Sequence, residues 1–343
     1  MKVLVVNNMA PFIWGGAEEL AAHLCRELER EGHEADLLRV PLQWEPAARI
    51  PSQMLLARAL EIESADRVIA LKFPAYLVRH PHKTIWLLHQ YRQAYDMYGT
   101  ELSNLSGPDG ERIRSVIETA DATAFCEARR IFTNSEVTRR RLARYNGFDG
   151  EVLLPPLNDP ALFRGGSADG YIFAGGRVNA MKRQHLIVEA LRQAPDVRLV
   201  IAGPPDSPDD GHRLRALVEA NGLQDRVRLE LRFLPRAELA QFVNHALAVA
   251  YLPYDEDSLG YVAMEGAAAA KALITTTDSG GVRGLAVPGE TGWVAEPTVE
   301  SLAEALQAAV LQPARTMAMG AAARELWNTF DLTWPATIRR LLA

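Results

Sequence analysis

Two basic side chains, Arg177 and Lys182, are separated by four residues on a glycine-containing stretch near the middle of the chain. The stretch, residues 175–182, follows an apolar run that predicts a strand, and it leads into a predicted helix. Backbone amides at a helix start favour an anion, and two cations at the same place reinforce that preference. The pattern predicts a site for a diphosphate, where preorganised positive charge stabilises a departing anion. Taken alone, the stretch is equally consistent with a solvated basic turn.

A second stretch, residues 255–265, concentrates acidic groups. Asp257 and Glu265 flank a predicted helix start, where we expect the backbone amides of residues 260–262 to be unpaired. One carboxylate accepts two hydrogen bonds, which suits the paired hydroxyls of a sugar. The alternative is a cation site with Asp255 and Asp257 as ligands.

Two stretches in the first half of the chain could also meet a ligand. The glycine pair Gly15 and Gly16 opens the first long predicted helix and would let a ligand approach the backbone. No G-x-G-x-x-G pattern occurs there, which removes the main support for a nicotinamide-dependent dehydrogenase. His89 follows a predicted strand, at the end that faces ligands in a doubly wound sheet. Taken alone, the glycine pair is better explained by a plain strand-to-helix turn, and the histidine by a structural or merely exposed side chain.

The elements that carry these residues alternate between short β-branched runs and amphipathic segments, which predicts parallel βαβ units. Strands are predicted at residues 3–6, 35–39, 67–71, 84–88, 131–133, 151–154, 171–174, 197–202, 227–231, 247–251 and 272–276. Helices are predicted at residues 17–28, 53–64, 111–125, 136–144, 181–192, 211–220, 237–245 and 260–269, with everything after Ser301 helical.

The pattern of strands and helices restarts after a break rich in proline and glycine, which includes Pro155-Pro156 and Gly165-Gly166. Such a break is typical of a linker. We therefore predict an α/β protein of two Rossmann-like, doubly wound domains facing across a cleft. The first domain comprises residues 1–157 with a C-terminal helix at 327–343, and the second comprises residues 158–326. The ligand is expected in the cleft, at the carboxyl ends of the strands.

Composition excludes several classes of protein. The 343 residues include 37 Lys and Arg against 43 Asp and Glu, a net charge of −6, which disfavours nucleic acid as a partner. Cys25 and Cys126 are too few for a disulfide framework or a structural zinc site. No apolar run approaches the roughly 18 residues of a membrane span, and the opening residues lack a signal-peptide core, so we expect a soluble, cytoplasmic protein. Four basic residues are interpreted as the solvated face of a helix and not as a peripheral membrane contact: Arg139, Arg140, Arg141 and Arg144.

The order and spacing of these features resemble the retaining glycosyltransferases of family 4, the "glycosyl transferases group 1" class with the GT-B fold. The resemblance covers nearly the whole chain and is carried by five motifs. Residues 15–18 are similar to the family's Gly-Gly-x-Glu loop, and residues 134–135 to its Asn-Ser signature. In the second half of the chain, residues 176–182 are similar to the Gly-Arg…Lys element, residues 257–265 to the Glu-x7-Glu motif, and residues 289–292 to the late Gly-x-x-Gly turn.

The resemblance implies a nucleotide-sugar donor held mainly by the second domain. On that basis Arg177 and Lys182 would neutralise the diphosphate, Glu265 would hold the ribose hydroxyls, and Asp257 would contact the donor sugar. The remaining implied contacts are His89 beside the transferred sugar, Gly15 and Gly16 at the phosphate, the backbone of Gly260, Tyr261 and Val262 at sugar or phosphate oxygens, and Phe233 and Leu234 near the base.

The implied activity is transfer of a sugar to an acceptor hydroxyl with retention of anomeric configuration, without a metal or cofactor. The acceptor, a glycan, a lipid-linked glycan or a small molecule, would be met by the first domain. Alternatives are a nucleotide-sugar 2-epimerase of the same architecture and a non-catalytic relative that binds a nucleotide or glycan. The chain departs from the family pattern at Asp257, where the family has Glu, at Arg283-Gly284, where it has Pro-Glu, and in the base loop at residues 231–234.

Overall fold

The computed structural model describes residues 1–12 and 14–343. The chain divides into two compact units. The first comprises Met1–Pro156 with Leu332–Ala343, and the second comprises Leu157–Asp331. These boundaries differ from the predicted 157 and 326 by one and five residues.

In the first unit, the described residues form one sheet of parallel strands. Its strands are β1 (Lys2–Met9), β2 (Glu34–Pro41), β3 (Arg67–Ala70), β4 (Lys83–Leu87), β5 (Arg130–Thr133) and β6 (Glu151–Val152). Their order across the sheet is β2-β1-β3-β4-β5-β6. Because the order reverses between β1 and β3, the loops that follow these two strands flank a crevice.

The second unit, all of whose residues are described, repeats this architecture. Its strands are β7 (Ile172–Gly175), β8 (Leu199–Ala202), β9 (Val227–Glu230), β10 (Ala248–Ala250), β11 (Ala272–Thr276) and β12 (Gly292–Ala295). They are parallel, in the order β12-β11-β10-β7-β8-β9. The order reverses between β7 and β10, which are neighbours in the sheet. The predicted class, two Rossmann-like doubly wound domains, is confirmed.

The helices connect and cover the strands of both sheets. They are α1 (Gly16–Arg30), α2 (Ile50–Ala59), α3 (Gly107–Cys126), α4 (Glu136–Asn146), α5 (Gln184–Ala190), α6 (Pro208–Ala220), α7 (Arg236–His245), α8 (Tyr261–Ala268), α9 (Val299–Leu311), α10 (Pro313–Thr329) and α11 (Trp334–Leu342). Within the described part of the chain, none of the helices has both the length and the apolar character needed to cross a bilayer.

Helix α11 completes the core of the first unit. Trp334, Ile338 and Leu341 repeat at helical spacing and are buried in one apolar cluster with Trp86 of β4. The rings of Trp334 and Trp86 meet edge to face with centroids 6.5 Å apart, and the Thr84 hydroxyl donates to the Leu341 carbonyl at 3.0 Å. The last helix therefore belongs to the first unit although the second unit precedes it in the chain.

Two predicted elements differ from the structure, and one observed strand was not predicted. Helix α2 was placed at residues 53–64 but ends at Ala59, because the backbone of Leu60 is extended. The segment after Ser301 is not helical throughout: it is interrupted at Gln312, before Pro313 opens α10, and again at residues 330–333. The short strand β12 was missed, because four residues that begin with glycine give little alternation of apolar and polar positions.

The arginine cluster on α4 is only partly solvated. Arg139 is exposed and pairs with Asp149 at 2.9 Å. Arg141, by contrast, is buried and pairs with Asp96 at 3.4 Å. The prediction that all four arginines form a solvent-facing surface is therefore wrong at Arg141, whose charge is satisfied inside the first unit.

A buried carboxyl group gives the first unit a testable pH dependence. Asp121 on α3 is fully buried and accepts hydrogen bonds from the hydroxyls of Tyr76 and Tyr95 at 3.0 and 2.8 Å. Burial raises the pKa of Asp121 from 3.8 to about 7, although the two tyrosine hydroxyls act in the opposite direction. Between these pH values the folded protein holds a proton that the unfolded chain has released.

We expect this group to lower the free energy of unfolding as the pH rises from about 4 to about 7. Denaturant titrations across that range should show a smaller decline for Asp121→Asn, which carries no titrating proton. Equal pH slopes for the variant and the unaltered protein would contradict the shifted pKa of Asp121.

Candidate functional site

The loop between β7 and α5 carries both predicted diphosphate cations. A short 3-10 turn, Ala180–Lys182, is capped by Asn179, whose side-chain oxygen accepts from the Lys182 amide at 2.9 Å. The Val178 amide donates to the Pro204 carbonyl at 3.0 Å, which joins this loop to the one that follows β8. The local sequence therefore sets the loop on the edge of the sheet where parallel strands end.

Lys182 is held by two groups from the end of β10. Its ammonium group donates to the Tyr251 hydroxyl at 2.8 Å and forms an ion pair with Glu256. Burial opposes the positive charge, but the Glu256 carboxylate and Tyr251 outweigh it and raise the pKa of Lys182 above its ordinary value. Lys182 is consequently a fixed cation whose present counter-ion is a neighbouring side chain.

Arg177 is arranged similarly, but in a more solvated position. Its guanidinium donates to Asp206 at 2.9 Å, and Asn179 donates to the other oxygen of the same carboxylate at 2.7 Å. Both cations therefore have a carboxylate partner. A diphosphate that binds here must compete with Asp206 and Glu256, neither of which the sequence pattern identified as a partner.

Arg183, the residue after Lys182, fixes the loop to the sheet. It has the left-handed backbone conformation, with φ of 54°. Its guanidinium donates to both oxygens of Asp278 at 2.9 and 2.8 Å and to the carbonyl of Leu252 at 2.7 Å. These partners follow β11 and β10, so Arg183 ties three strand ends together. No signal in the sequence distinguished this arginine from a solvated one.

The acidic loop lies beside the basic one, because β10 pairs with β7. Asp257 and Glu265 are both buried, with 6% and 2% of their surfaces exposed. The loop is backed by glycines at 280 and 281: a Cβ on Gly281 would lie 2.4 Å from the Ser258 carbonyl oxygen. The Gly281 amide donates to the Glu256 carbonyl at 2.7 Å. The glycine pair thus gives the acidic residues a close backbone support that no larger residue allows.

Helix α8 begins at Tyr261, one residue after its predicted start at Gly260, and Gly260 is its N-cap. The expectation that the amides of Gly260, Tyr261 and Val262 are all unpaired is wrong at Gly260, whose amide donates to the Ser258 hydroxyl at 3.2 Å. A hydroxyl two residues earlier satisfies a helix-start donor, as serine commonly does.

Glu265, on α8, is paired with an arginine that the sequence analysis did not single out. Arg236 is the first residue of α7, and its guanidinium forms an ion pair with the Glu265 carboxylate. Phe233 and Leu234 lie just before it, in the loop between β9 and α7. Phe233 is 63% exposed, whereas Leu234 is buried. Phe233 is thus an exposed aromatic side chain in the loop that precedes Arg236.

The first unit holds the remaining predicted residues on its own sheet edge. Gly15 is the N-cap of α1, and its amide donates to the Glu18 carboxylate at 3.0 Å. The other oxygen of Glu18 lies 3.4 Å from Lys72, which follows β3. This ion pair bridges the point where the strand order reverses. The Gly15 amide, expected to be available for phosphate, is instead occupied by a side chain from the first turn of α1.

His89 follows β4 in the first unit, where the sequence placed it. Its Nδ1 atom lies 2.7 Å from the Gln90 carbonyl oxygen. Gln90 is buried and donates to Asn146 of α4 at 2.9 Å. The His89 imidazole therefore contacts the backbone of the residue that follows it.

The metal-site interpretation of Asp255 and Asp257 has no further ligand to support it. Among residues 1–12 and 14–343, no group of three His, Cys, Asp or Glu side chains is arranged to hold a cation. A surface cavity of about 620 Å3 lies at the opposite, amino-terminal ends of β7 to β9, lined in part by Tyr171, Arg198 and His245. It contains none of the predicted site residues.

Solved structures share this architecture. Sucrose-phosphate synthase from Thermosynechococcus elongatus superposes with a TM-score of 0.79 at 18% identity, over 99% of this chain and 97% of that one. WaaG, a glycosyltransferase involved in lipopolysaccharide biosynthesis, gives 0.75 at 16% identity, over 99% and 98%. These likenesses define the class by fold: the chain is a GT-B protein.

The family is found in the second unit, where residues 166–326 match the family described as "Glycosyl transferases group 1". The second unit of this chain matches that family over most of its length, which confirms the resemblance; the assignment to family 4 stays a prediction.

Curated relatives align over part of the chain. A D-inositol 3-phosphate glycosyltransferase from Kineococcus radiotolerans is 30% identical over 263 residues, which is 67% of this chain and 58% of the relative. An alpha-maltose-1-phosphate synthase from Mycolicibacterium smegmatis is 31% identical over 160 residues, 44% of this chain and 41% of the relative. The aligned part thus spans about half the length of these curated relatives.

Proposed function

We propose that this protein is a glycosyltransferase that moves a sugar from a nucleoside-diphosphate sugar to an acceptor hydroxyl, with retention of anomeric configuration. One observation carries the proposal. The residues that match the family include Arg177, Lys182, Asp257 and Glu265, and these follow β7 and β10, the two strands between which the sheet order reverses. Ligands of doubly wound sheets bind at such a reversal.

The chemistry proposed for this site is expulsion of a diphosphate. The bond between the anomeric carbon and the phosphate oxygen breaks, and its electron pair goes to the diphosphate. Arg177 and Lys182 stabilise the charge that develops there, since fixed cations in a partly buried site act more strongly than water. The acceptor oxygen bonds to the anomeric carbon on the same face of the sugar, and its proton passes to the departing phosphate. Catalysis by a pair of carboxylates, as in a retaining hydrolase, is not required.

The acidic residues bind and orient the donor in this proposal. Glu265 accepts hydrogen bonds from the ribose hydroxyls, and Asp257 accepts them from the sugar. Asp257 is one methylene shorter than the glutamate of the family pattern, so it reaches less far into the sugar subsite. His89 and the Gly15-Gly16 turn are proposed contacts of the first unit. Metal independence and a cytoplasmic location stay predictions.

Relatives suggest which donors and acceptors to test first. Two solved structures of Anabaena HepE match this chain at 17% identity. The complex with UDP and glucose gives a TM-score of 0.73, and the complex with UDP-glucose gives 0.72. Those structures make UDP-sugars the first candidate donors. The relatives named D-inositol 3-phosphate glycosyltransferases make that polyol phosphate a first candidate acceptor.

Thermal unfolding in the presence of UDP-, GDP-, ADP- and dTDP-sugars tests donor binding. We expect one nucleotide class to raise the melting temperature, because a ligand at a hundred times its Kd stabilises by about 2.7 kcal/mol. The matched control is Lys182→Ala, which should show a smaller rise. If none of the sugar nucleotides shifts the transition, the proposed donor site is wrong.

Product analysis separates transfer from its alternatives. With the donor alone, a transferase gives slow hydrolysis, an epimerase gives an isomeric sugar nucleotide, and a binding protein gives neither. With an acceptor present, NMR coupling at the new anomeric centre should show the configuration of the donor, and the reaction should continue in EDTA.

A further inference from the structure

We infer that Arg236 is a positioning residue for the donor: it fixes the Glu265 carboxylate in the orientation that receives the ribose, and it anchors that carboxylate to the chain at Asn158. The inference rests on the proposed function, because it concerns the donor subsite that Glu265 would form. It goes further by assigning the ribose preference to a residue outside the family motifs.

The Arg236 guanidinium contacts two elements besides its own helix. One terminal nitrogen forms the ion pair with Glu265 on α8, and the other donates to the Asn158 carbonyl at 2.9 Å. The guanidinium also lies over the Phe163 ring, 5.0 Å from its centroid. A planar group held at its two terminal nitrogens and over an aromatic face has little freedom to rotate.

A further contact of Arg236, with Asp159, is weak. Its Nε atom lies 3.6 Å from Asp159, beyond hydrogen-bond distance, and has no hydrogen-bond partner among the described residues. Arg236 is therefore held mainly by the contacts of its two terminal nitrogens with Glu265 and Asn158. Asp159, which is also acidic and adjacent to Asn158, provides a matched control for effects of charge alone.

Because Glu265 is buried, its ion pair with Arg236 sets the orientation of the carboxylate. The Glu265 side chain is 3% exposed, and Arg236 is 28% exposed. A carboxylate buried to this extent is stable in its charged form only with a partner, and the charge-assisted bond to arginine sets the plane of the group. Burial opposes the charge on Arg236 as well, but Glu265 outweighs it and raises the pKa of Arg236 above its ordinary value.

An oriented carboxylate can distinguish ribose from deoxyribose. A carboxylate has about four acceptor positions on its two oxygens, so it can bond a guanidinium and still accept from neighbouring hydroxyls. Two adjacent hydroxyls meet it together only when its plane is fixed. Without Arg236, the Glu265 carboxylate loses the contact that fixes its plane, and the second hydroxyl is bound less well.

The test compares nucleotide pairs by calorimetry. The probes are UDP, GDP or ADP, whichever stabilises the protein most, its 2′-deoxy counterpart, and inorganic pyrophosphate. The unaltered protein should prefer the ribonucleotide by about tenfold or more, the usual effect of one hydrogen bond to a charged group. In Arg236→Ala this preference should fall to near unity, while the affinity for pyrophosphate should not change.

Further variants separate positioning from charge and from folding. Glu265→Gln should also lose the preference for the ribonucleotide. The double variant Arg236→Ala/Glu265→Gln should lose no more of that preference than either single variant, because the two residues act as one unit. Arg236→Lys, which keeps the charge without the planar fork, should restore the preference only in part; it also carries the test if the alanine variant does not fold. Asp159→Asn should retain the full preference.

The outcomes are distinct. Full ribose preference in Arg236→Ala and Arg236→Lys, or no preference in the unaltered protein, would overturn the inference and leave the proposed function standing. Failure of the unaltered protein to bind any of the three nucleoside diphosphates would overturn the proposed function itself.

Discussion

Replacing Lys182 with alanine is expected to lower kcat by about a hundredfold or more while the protein remains folded. In the structure the Lys182 ammonium is fixed between Tyr251 and Glu256 at the carboxyl ends of β7 and β10. A cation that is already oriented stabilises the leaving diphosphate without reorganisation, and loss of one such group typically costs about 2.7–4 kcal/mol of transition-state stabilisation. Steady-state kinetics with the donor found by thermal unfolding measure the effect.

The control for this variant concerns Glu256, which loses its ion pair with Lys182 in Lys182→Ala. The double variant Lys182→Ala/Glu256→Gln also removes the charge of that carboxylate and should show the same loss of kcat. Glu256→Gln alone should tighten the binding of inorganic pyrophosphate, because the diphosphate no longer competes with a carboxylate for Lys182. Near-normal turnover by a folded Lys182→Ala protein would remove the leaving-group role from this residue.

Replacing Gly203 with alanine is expected to destabilise the protein by about 3 kcal/mol or more. Gly203 follows β8 with φ of 144°, and a Cβ there would lie 2.1 Å from the carbonyl oxygen of Gly176. Two causes contribute to this loss. Residues with a side chain rarely adopt this backbone conformation, and the new Cβ would clash with a backbone carbonyl that cannot rotate away. Since Gly176 begins the loop of Arg177, the same change should also displace that loop.

Denaturant unfolding measures the stability of Gly203→Ala, and Gly222→Ala is its matched control. Gly222 also has a positive φ, of 62°, but a Cβ there would meet no atom within 4 Å. We expect about 1–2 kcal/mol for this variant, the effect of backbone strain without a clash. Equal losses in the two variants would show that the contact between Gly203 and Gly176 is not a tight one.

The sequence by itself predicted the doubly wound architecture and placed the start of α8 at Gly260, one residue before its observed start at Tyr261. These features depend on residues that are close in the sequence. The spacing of apolar residues, turn residues and helix caps are all local signals, so they can be recognised from the sequence alone. The same locality explains the failures. Helix α2 and the segment after Ser301 have suitable periodicity, and their ends were set by single backbone conformations that periodicity does not reveal.

Only the tertiary structure decided which groups meet at the site. Lys182 and Glu256 are 74 residues apart, Arg183 and Asp278 are 95 apart, and Arg236 and Glu265 are 29 apart. Each pair forms because strands distant in sequence end at one edge of a parallel sheet. The physical reason is that an ion pair depends on the positions of two side chains in space, and strand order, which places them, arises from packing of the whole unit.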